Sequence, residues 1–222
     1  SELKVLRSLY YWWLLDAFGN VPIVEQFDVP ADFQPPNNTR EEVYAFIEQS
    51  VLDNVSNLSR ETGQSTYGRM TYWAAQALLA NLYLNAEVYT GKEEYAKAAA
   101  ACDEIINSGN FSLAGNYFDN FASNNSTSPE FIMAIPYDRV FLGGFNLPAM
   151  TLHYGSQDTY NLTFQPWNGF CSLEEFYNSY EDGDLRKGQP NTEEGPSGVP
   201  GNFLVGPQFT SGGARILDSG AE

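Results

Sequence analysis

Residues 68–109, GRMTYWAAQALLANLYLNAEVYTGKEEYAKAAAACDEIINSG, constrain the fold more than any other stretch. Tyr72, Ala75, Leu79, Leu82, Tyr83 and Ala86 recur every three or four residues, which predicts one apolar stripe along a helix. After Thr90-Gly91 the spacing returns in Tyr95, Ala98, Ala99, Cys102, Ile105 and Ile106, predicting a second helix. Ala74, Ala75, Ala77 and Ala80 in the first helix, and Ala98 to Ala101 in the second, are small enough to let the two axes approach closely. A tight helical hairpin is therefore expected. Gly91 and Gly109 suit the positive φ at which helices commonly end.

Upstream, Leu6, Leu9, Tyr10, Trp13 and Ala17 mark one face of an opening helix that Gly19-Asn20 ends and Pro22 follows. Residues 26–38, with Pro30, Pro35 and Pro36 and no period, read as a surface loop. Thr39 and Glu42 form the spacing of a capping box, in which each side chain satisfies the other's backbone N–H. Val43, Phe46, Ile47, Val51, Val55 and Leu58 then predict a second amphipathic helix, and Ser59 to Gly68 a polar connection into the hairpin. Residues 1–109 thus read as four helices in antiparallel succession, followed at 110–222 by a loop-rich, aromatic-rich segment of the same domain.

In that second part Phe111, Leu113, Tyr117, Phe118 and Phe121 are aromatic and aliphatic anchors among Asn and Ser. Phe131 to Ile135 read as a short buried strand or an extended plug. Leu173, Phe176 and Tyr177 suggest a short helix, and the Gly- and Pro-rich stretch after Gly188 suggests loop.

Charge narrows the partners. A formal net charge of −17, with only 11 basic residues spread along the chain, argues against nucleic acid or an anionic membrane surface. Acidic balance is compatible with neutral ligands but does not select them. Cys102 and Cys171 make no disulfide framework, and Cys102 on a helical apolar stripe reads as a buried small thiol. No run approaches the length of a membrane span, and the opening residues do not read as a signal peptide.

The chemistry centres on TLHYGSQDTYNLTFQPWNG, residues 151–169. Pyranose rings expose C–H faces that stack on flat aromatic rings, and their hydroxyls pair with amides and carboxylates. Tyr154, Tyr160 and Trp167 offer the platforms; Gln157, Asp158, Asn161, Gln165 and Asn168 offer the polar edges. The competing reading is that Trp167 and Phe164 fill a core, as large aromatics mostly do. His153, the only histidine, has no GxSxG elbow or Cys motif around it to make it a catalytic base. His/Cys metal sites lack enough ligands. Asp182-x-Asp184 opens like a calcium loop, but Arg186 and Lys187 stand where it should continue; an Asp184–Arg186 pair around a turn is expected instead. Glu41-Glu42, Glu93-Glu94 and Glu174-Glu175 could supply a glycosidase pair, yet each lies at a predicted helix start, where the helix dipole accounts for it. No catalytic residue, cofactor or metal is called for.

Two resemblances follow from these residues. Leu79-Ala80-x-x-Tyr83 with Tyr95-x-x-Ala98-x-x-x-Cys102-x-x-Ile105 resembles a tetratricopeptide hairpin, with a first helix about one turn too long and no closing Pro. More specifically, LRSLYYWWLLDAFGNVPIVE, the hairpin through IINSGNFSL, FIMAIPYD and NGFCSLEEFYNSYEDGDLRK are similar, in order, to blocks of the SusD/RagB family. The resemblance implies a mainly α fold of tetratricopeptide-like hairpins with an irregular C-terminal part. It implies a non-enzymatic glycan-binding lipoprotein on the extracellular face of the Bacteroidetes outer membrane, delivering oligosaccharide to a SusC-like TonB-dependent transporter. Family members are usually twice this length or more and carry an N-terminal lipid-bearing Cys that is missing here, so a fragment is expected. Family glycan platforms use aromatics from loops after the helical repeats, which favours Trp167, with Tyr154, Tyr160, Asn168, Gln157 and Asn161 beside it. A helical-repeat protein-interaction scaffold and a carbohydrate-active enzyme are the alternatives.

Overall fold

The structure, a computed structural model, describes residues 1–138, 140–144 and 146–216. Residues 217–222, the end of the tail expected to lack a structural stop, lie outside these. Contacts divide the chain into two units, Ser1–Pro136 and Tyr137–Glu222. Among the described residues there are helices, turns and isolated bridges but no strand, and no helix is long and apolar enough to cross a membrane.

The first unit is built on helices α1 (Glu2–Phe18), α2 (Arg40–Val55), α3 (Tyr72–Leu84), α4 (Ala86–Thr90) and α5 (Tyr95–Asn107). The main packing pairs are α3 with α5 and α1 with α2, and α2 also meets α3 and α4. α3 is the central element. Tyr72, Trp73, Ala74, Ala75, Leu78, Leu79, Leu82 and Tyr83 are all buried, covering most of its circumference. A helix apolar all round must be enclosed by neighbours, and the small side chains let α5 and α2 close on it. Thr71 begins α3 by accepting the Ala74 N–H at 3.2 Å. The apolar run through Ala86 is not one helix, however: it breaks at Asn85, whose carboxamide donates to the Asn81 carbonyl, and resumes as α4 until Gly91 at φ 73°.

α2 starts as its sequence dictates. Thr39 Oγ1 accepts the Glu42 N–H at 3.3 Å, and Glu42 Oε2 accepts the Thr39 N–H at 2.8 Å. These bonds to Thr39 hold the Glu42 carboxyl below its usual range. Arg40 then ties three helix ends together. Its backbone N–H donates to Asn20 Oδ1 and its Nη1 to the Val88 carbonyl, while its guanidinium lies against Gly19, the residue that ends α1. Tyr89 donates to Asp16 at 2.8 Å beside it, and burial pushes that phenol up to about 12.

Two expected helix faces are rotated. In α1 the buried residues are Val5, Ser8, Leu9, Tyr11 and Leu15, while Tyr10, Trp13 and Ala17 face outward. Apolar residues occupy both sides of this helix, so periodicity alone leaves its inner face open. Tyr11 is fixed inward because its hydroxyl accepts the Val24 N–H at 2.9 Å and meets the Val24 carbonyl, anchoring the segment after Pro22. In α5 only Ala98, Ala101 and Ile105 are buried; Tyr95, Ala99, Cys102 and Ile106 are exposed. α5 packs chiefly on α3, and one contact line is narrower than the stripe the sequence suggested. The thiol of Cys102 is therefore on the surface rather than in the core.

After α5 the chain folds back without a strand. Phe111 meets the Trp73 ring edge-on at 6.1 Å, and Ile132 and Met133 pack on the helical core, so 131–135 form an irregular plug. Glu130 holds the loop: its Oε1 accepts the Ala114 N–H at 2.8 Å and the Asn120 carboxamide at 2.9 Å.

Among the described residues the second unit carries only short helices, α6 (Leu147–Thr151), α7 (Ser156–Tyr160) and α8 (Glu174–Asn178). Phe203 gathers Phe176, Tyr177 and Tyr180 edge-on at 5.3–5.8 Å. The Gly-rich stretch is a hydrogen-bonded strap rather than free loop. Gln189 N–H donates to the Val199 carbonyl, Asn191 N–H to Val205 and Asn202 N–H to Arg186. Gly188 and Gly201 cross too closely for a side chain, since a Cβ on Gly201 would stand 2.5 Å from the Gly188 nitrogen.

Candidate functional site

Trp167 is displayed by its backbone. Pro166 is buried, and the next four N–H groups run across the carbonyls at the end of α6. Trp167 donates to Ala149, Asn168 to Leu152, and Gly169 and Phe170 both to Met150, at 2.6–3.0 Å. These bonds satisfy carbonyls that a short helix leaves open and fix the segment. With Pro166 inside and Asn168 in the left-handed region at φ 51°, the Trp167 indole is 57% exposed. Phe164 is exposed too, so neither ring fills the core of its unit.

Tyr154 precedes α7 and Tyr160 is its last residue; they are 36% and 48% exposed. Tyr154 lies against the His153 ring, with centroids 4.2 Å apart. His153 Nδ1 accepts the Gly155 N–H at 3.0 Å, which commits that nitrogen to the turn before α7. Burial raises the pKa of the Tyr160 phenol.

The expected polar edges divide by their other duties. Gln157 Nε2 donates to the Leu162 carbonyl at 3.4 Å. Asn161 caps α7 at φ 51°, and its Oδ1 accepts from Ser211 Oγ at 3.1 Å. Asp158, Gln165 and Asn168 are exposed. The six candidates therefore lie on two stretches, Tyr154–Asn161 around α7 and Trp167–Asn168 across α6.

The structure adds partners that local sequence does not show. Tyr160 lines a cleft of about 290 Å³ together with Thr159, Gln189, Phe203, Gln208 and Thr210. Gln189 and Gln208 come from the strap, far along the chain from Tyr160. Their only signal in the sequence is a pair of glutamines within an otherwise Gly- and Pro-rich run. Outside the cleft, Asp184 and Arg186 pair as expected, at 2.6 Å, and the guanidinium holds the Asp184 carboxyl down to about 2. Among the described residues no group of His, Cys, Asp and Glu could hold a metal ion.

Comparison with known proteins gives this geometry a context. A family model described as "Starch-binding associating with outer membrane" matches residues 2–84. The starch-binding protein SusD of Bacteroides thetaiotaomicron is 35% identical over 144 residues, covering 63% of this chain and 25% of that protein. The surface glycan-binding protein A of the same organism, solved with laminarihexaose, is similar at a TM-score of 0.67 and 25% identity, covering 84% of this chain and 40% of that one. Its namesake from Bacteroides uniformis gives a TM-score of 0.68 at 22% identity over 87% of this chain and 42% of that one, a likeness of fold. The chain spans about a quarter of the length of the curated relatives it matches. The chain shares a mainly α, SusD-like fold with these structures and is similar in sequence to part of the length of SusD-like proteins.

Proposed function

We propose that this chain binds neutral glycan on the exposed rings of its second unit and does not cleave it. The observation that carries the reading is the outward Trp167 indole, held on a hydrogen-bonded segment with Asn168 beside it. Tyr154 and Tyr160 add half-exposed rings, and Gln157, Asn161 and Asn168 add amides for sugar hydroxyls. A relative named for binding starch and a relative solved with laminarihexaose support glycan as the ligand class. In the whole protein the binding surface stands at the extracellular face of the outer membrane, lipid-anchored, and passes oligosaccharide to a SusC-like TonB-dependent transporter.

Affinity electrophoresis in gels containing starch or laminarin, beside a reducing-sugar assay, tests this. Retardation without sugar release is expected, and Trp167→Ala should abolish the retardation while leaving the circular dichroism spectrum unchanged. Sugar release that one carboxylate substitution removes would mean an enzyme instead.

A second reading has its own observation. Leu3, Tyr10, Leu14 and Phe18 lie at helical spacing on the outward side of α1 and are all exposed. Such a stripe fits the scaffold role, in which the helical unit holds a protein partner. Failure to bind any glycan, together with recovery of a barrel protein that a Tyr10→Glu, Leu14→Glu variant loses, would favour it.

A further inference from the structure

The cleft beside Tyr160 differs from the rest of this molecule in one respect. The chain carries a formal charge of −17, yet no Asp, Glu, Lys or Arg is among the described residues that line the cleft. Its walls are Phe203, Phe209 and aliphatic residues of the strap on one hand and amides and hydroxyls on the other. That mixture suits a solute with an apolar face and a hydroxyl-bearing edge, and it offers nothing to an ion.

The walls are also built. Asn191 Oδ1 accepts the Ser197 N–H at 3.0 Å and its Nδ2 donates to the Pro207 carbonyl at 2.9 Å, so both ends of this side chain shape the strap. Ser197 Oγ donates to the Gln189 carbonyl. A Cβ on Gly206 would meet the Asn191 carbonyl oxygen at 2.4 Å, which fixes that crossing as closely as the Gly188–Gly201 one. Against this framework several polar groups keep capacity. Among the described residues the Gln189 carboxamide has no hydrogen-bond partner. Among the described residues Gln208 engages only its Nε2, with the Gly206 carbonyl, and keeps its Oε1. Thr159 Oγ1 is buried at the same place without a partner among the described residues. A buried hydroxyl in that state costs free energy until something pairs with it.

We infer that this cleft is a subsite for a single neutral sugar ring, with Tyr160 as its platform and Gln189 and Gln208 as its hydrogen-bonding pair. The volume of about 290 Å³ stands at the lower end of the range for small-molecule sites, roughly 300–1,000 Å³, and so limits the occupant to one ring or little more. The inference rests on the glycan reading and deepens it: Trp167 presents an open surface to a chain, whereas this cleft takes one residue of it.

Amide NMR of the isotope-labelled chain separates the two. The probes are D-glucose, D-galactose, N-acetyl-D-glucosamine, sodium D-glucuronate and laminarihexaose. At least one neutral monosaccharide should shift the side-chain amides of Gln189 and Gln208 and the backbone of residues 199–203, and glucuronate should shift them less. A Gln189→Leu, Gln208→Leu double variant should weaken that response about tenfold or more, as expected when two ligand hydrogen bonds are lost, with the Trp167 indole signal unmoved. Monosaccharide shifts confined to residues 164–170, or an undiminished response in the double variant, would overturn the subsite. Laminarihexaose moving the Trp167 indole with no cleft response to any sugar removes the subsite and leaves the platform standing. Cleft shifts without any effect at Trp167 do the reverse.

Discussion

Two leucines at the end of one helix give the sharpest test of how the helical unit is packed. Leu82 is 0% exposed and Leu84 is 57% exposed, two residues apart on α3. Leu82→Ala removes three carbons from a sealed position, a transfer loss of about 2.4 kcal/mol at ~0.8 kcal/mol per buried carbon. The void adds to this: at ~24 cal/mol per Å³, a residual cavity of roughly 60 Å³ costs about 1.5 kcal/mol more. The expected total is therefore about 3–4 kcal/mol, inside the range of ~2–5 kcal/mol typical for such truncations. Leu84→Ala should change stability by no more than ~0.5 kcal/mol, as for surface positions generally. Urea unfolding followed by Trp fluorescence reads both, because Trp73 is buried in the same core and reports its opening. A Leu82→Ala loss below about 1 kcal/mol, or equal losses for the two variants, would refute the placement of α3 as the enclosed central helix.

Further expectations follow from single contacts. Thr39→Ala should cost ~1 kcal/mol in urea unfolding by removing one half of the capping box, and Thr39→Ser should restore most of it. The carboxyls of Asp184 and Glu130 are both held low, Asp184 by Arg186 and Glu130 by the Ala114 N–H. A lowered folded pKa means stability fully present above the unfolded pKa and lost as pH falls through the folded one. Thermal melting should therefore decline from about pH 4 downward, for Asp184 to about pH 2, and Asp184→Asn should flatten its share of that decline. Gly201→Ala should open the strap, because its methyl would meet the Gly188 nitrogen and Lys187 carbonyl at 2.5–2.6 Å. Accelerated proteolysis between Arg186 and Val205 would show it; an unchanged cleavage rate would contradict the close crossing.

What sequence made legible follows from the range of the interactions concerned. The capping box at Thr39, the left-handed Gly91 and the buried face of α3 depend on residues within a turn or two of each other, and they could be read directly. The inner face of α1 could not, since Tyr10, Trp13 and Leu14 are as apolar as Leu9 and Leu15; the Tyr11 bond to Val24 decides it. Cys102 looked internal because α5 carries more apolar residues than its packing on α3 covers. Trp167 was legible as a residue type, but its exposure depends on N–H groups of 167–170 finding carbonyls of 149–152. The cleft was least visible, because Gln189 and Gln208 meet Tyr160 only through a strap whose backbone pairing no local spacing announces.

The way residues 167–170 are tethered bears on how a carbohydrate would be caught and let go. A segment already bonded to the end of α6 has no freedom left to lose when a ligand lands on its indole, so association carries little ordering entropy. Its heat-capacity change would reflect the ring area covered and nothing more. Release is equally undemanding, since no closed loop has to reopen first. A sugar stacked on this indole would arrive and leave without any rearrangement of residues 167–170.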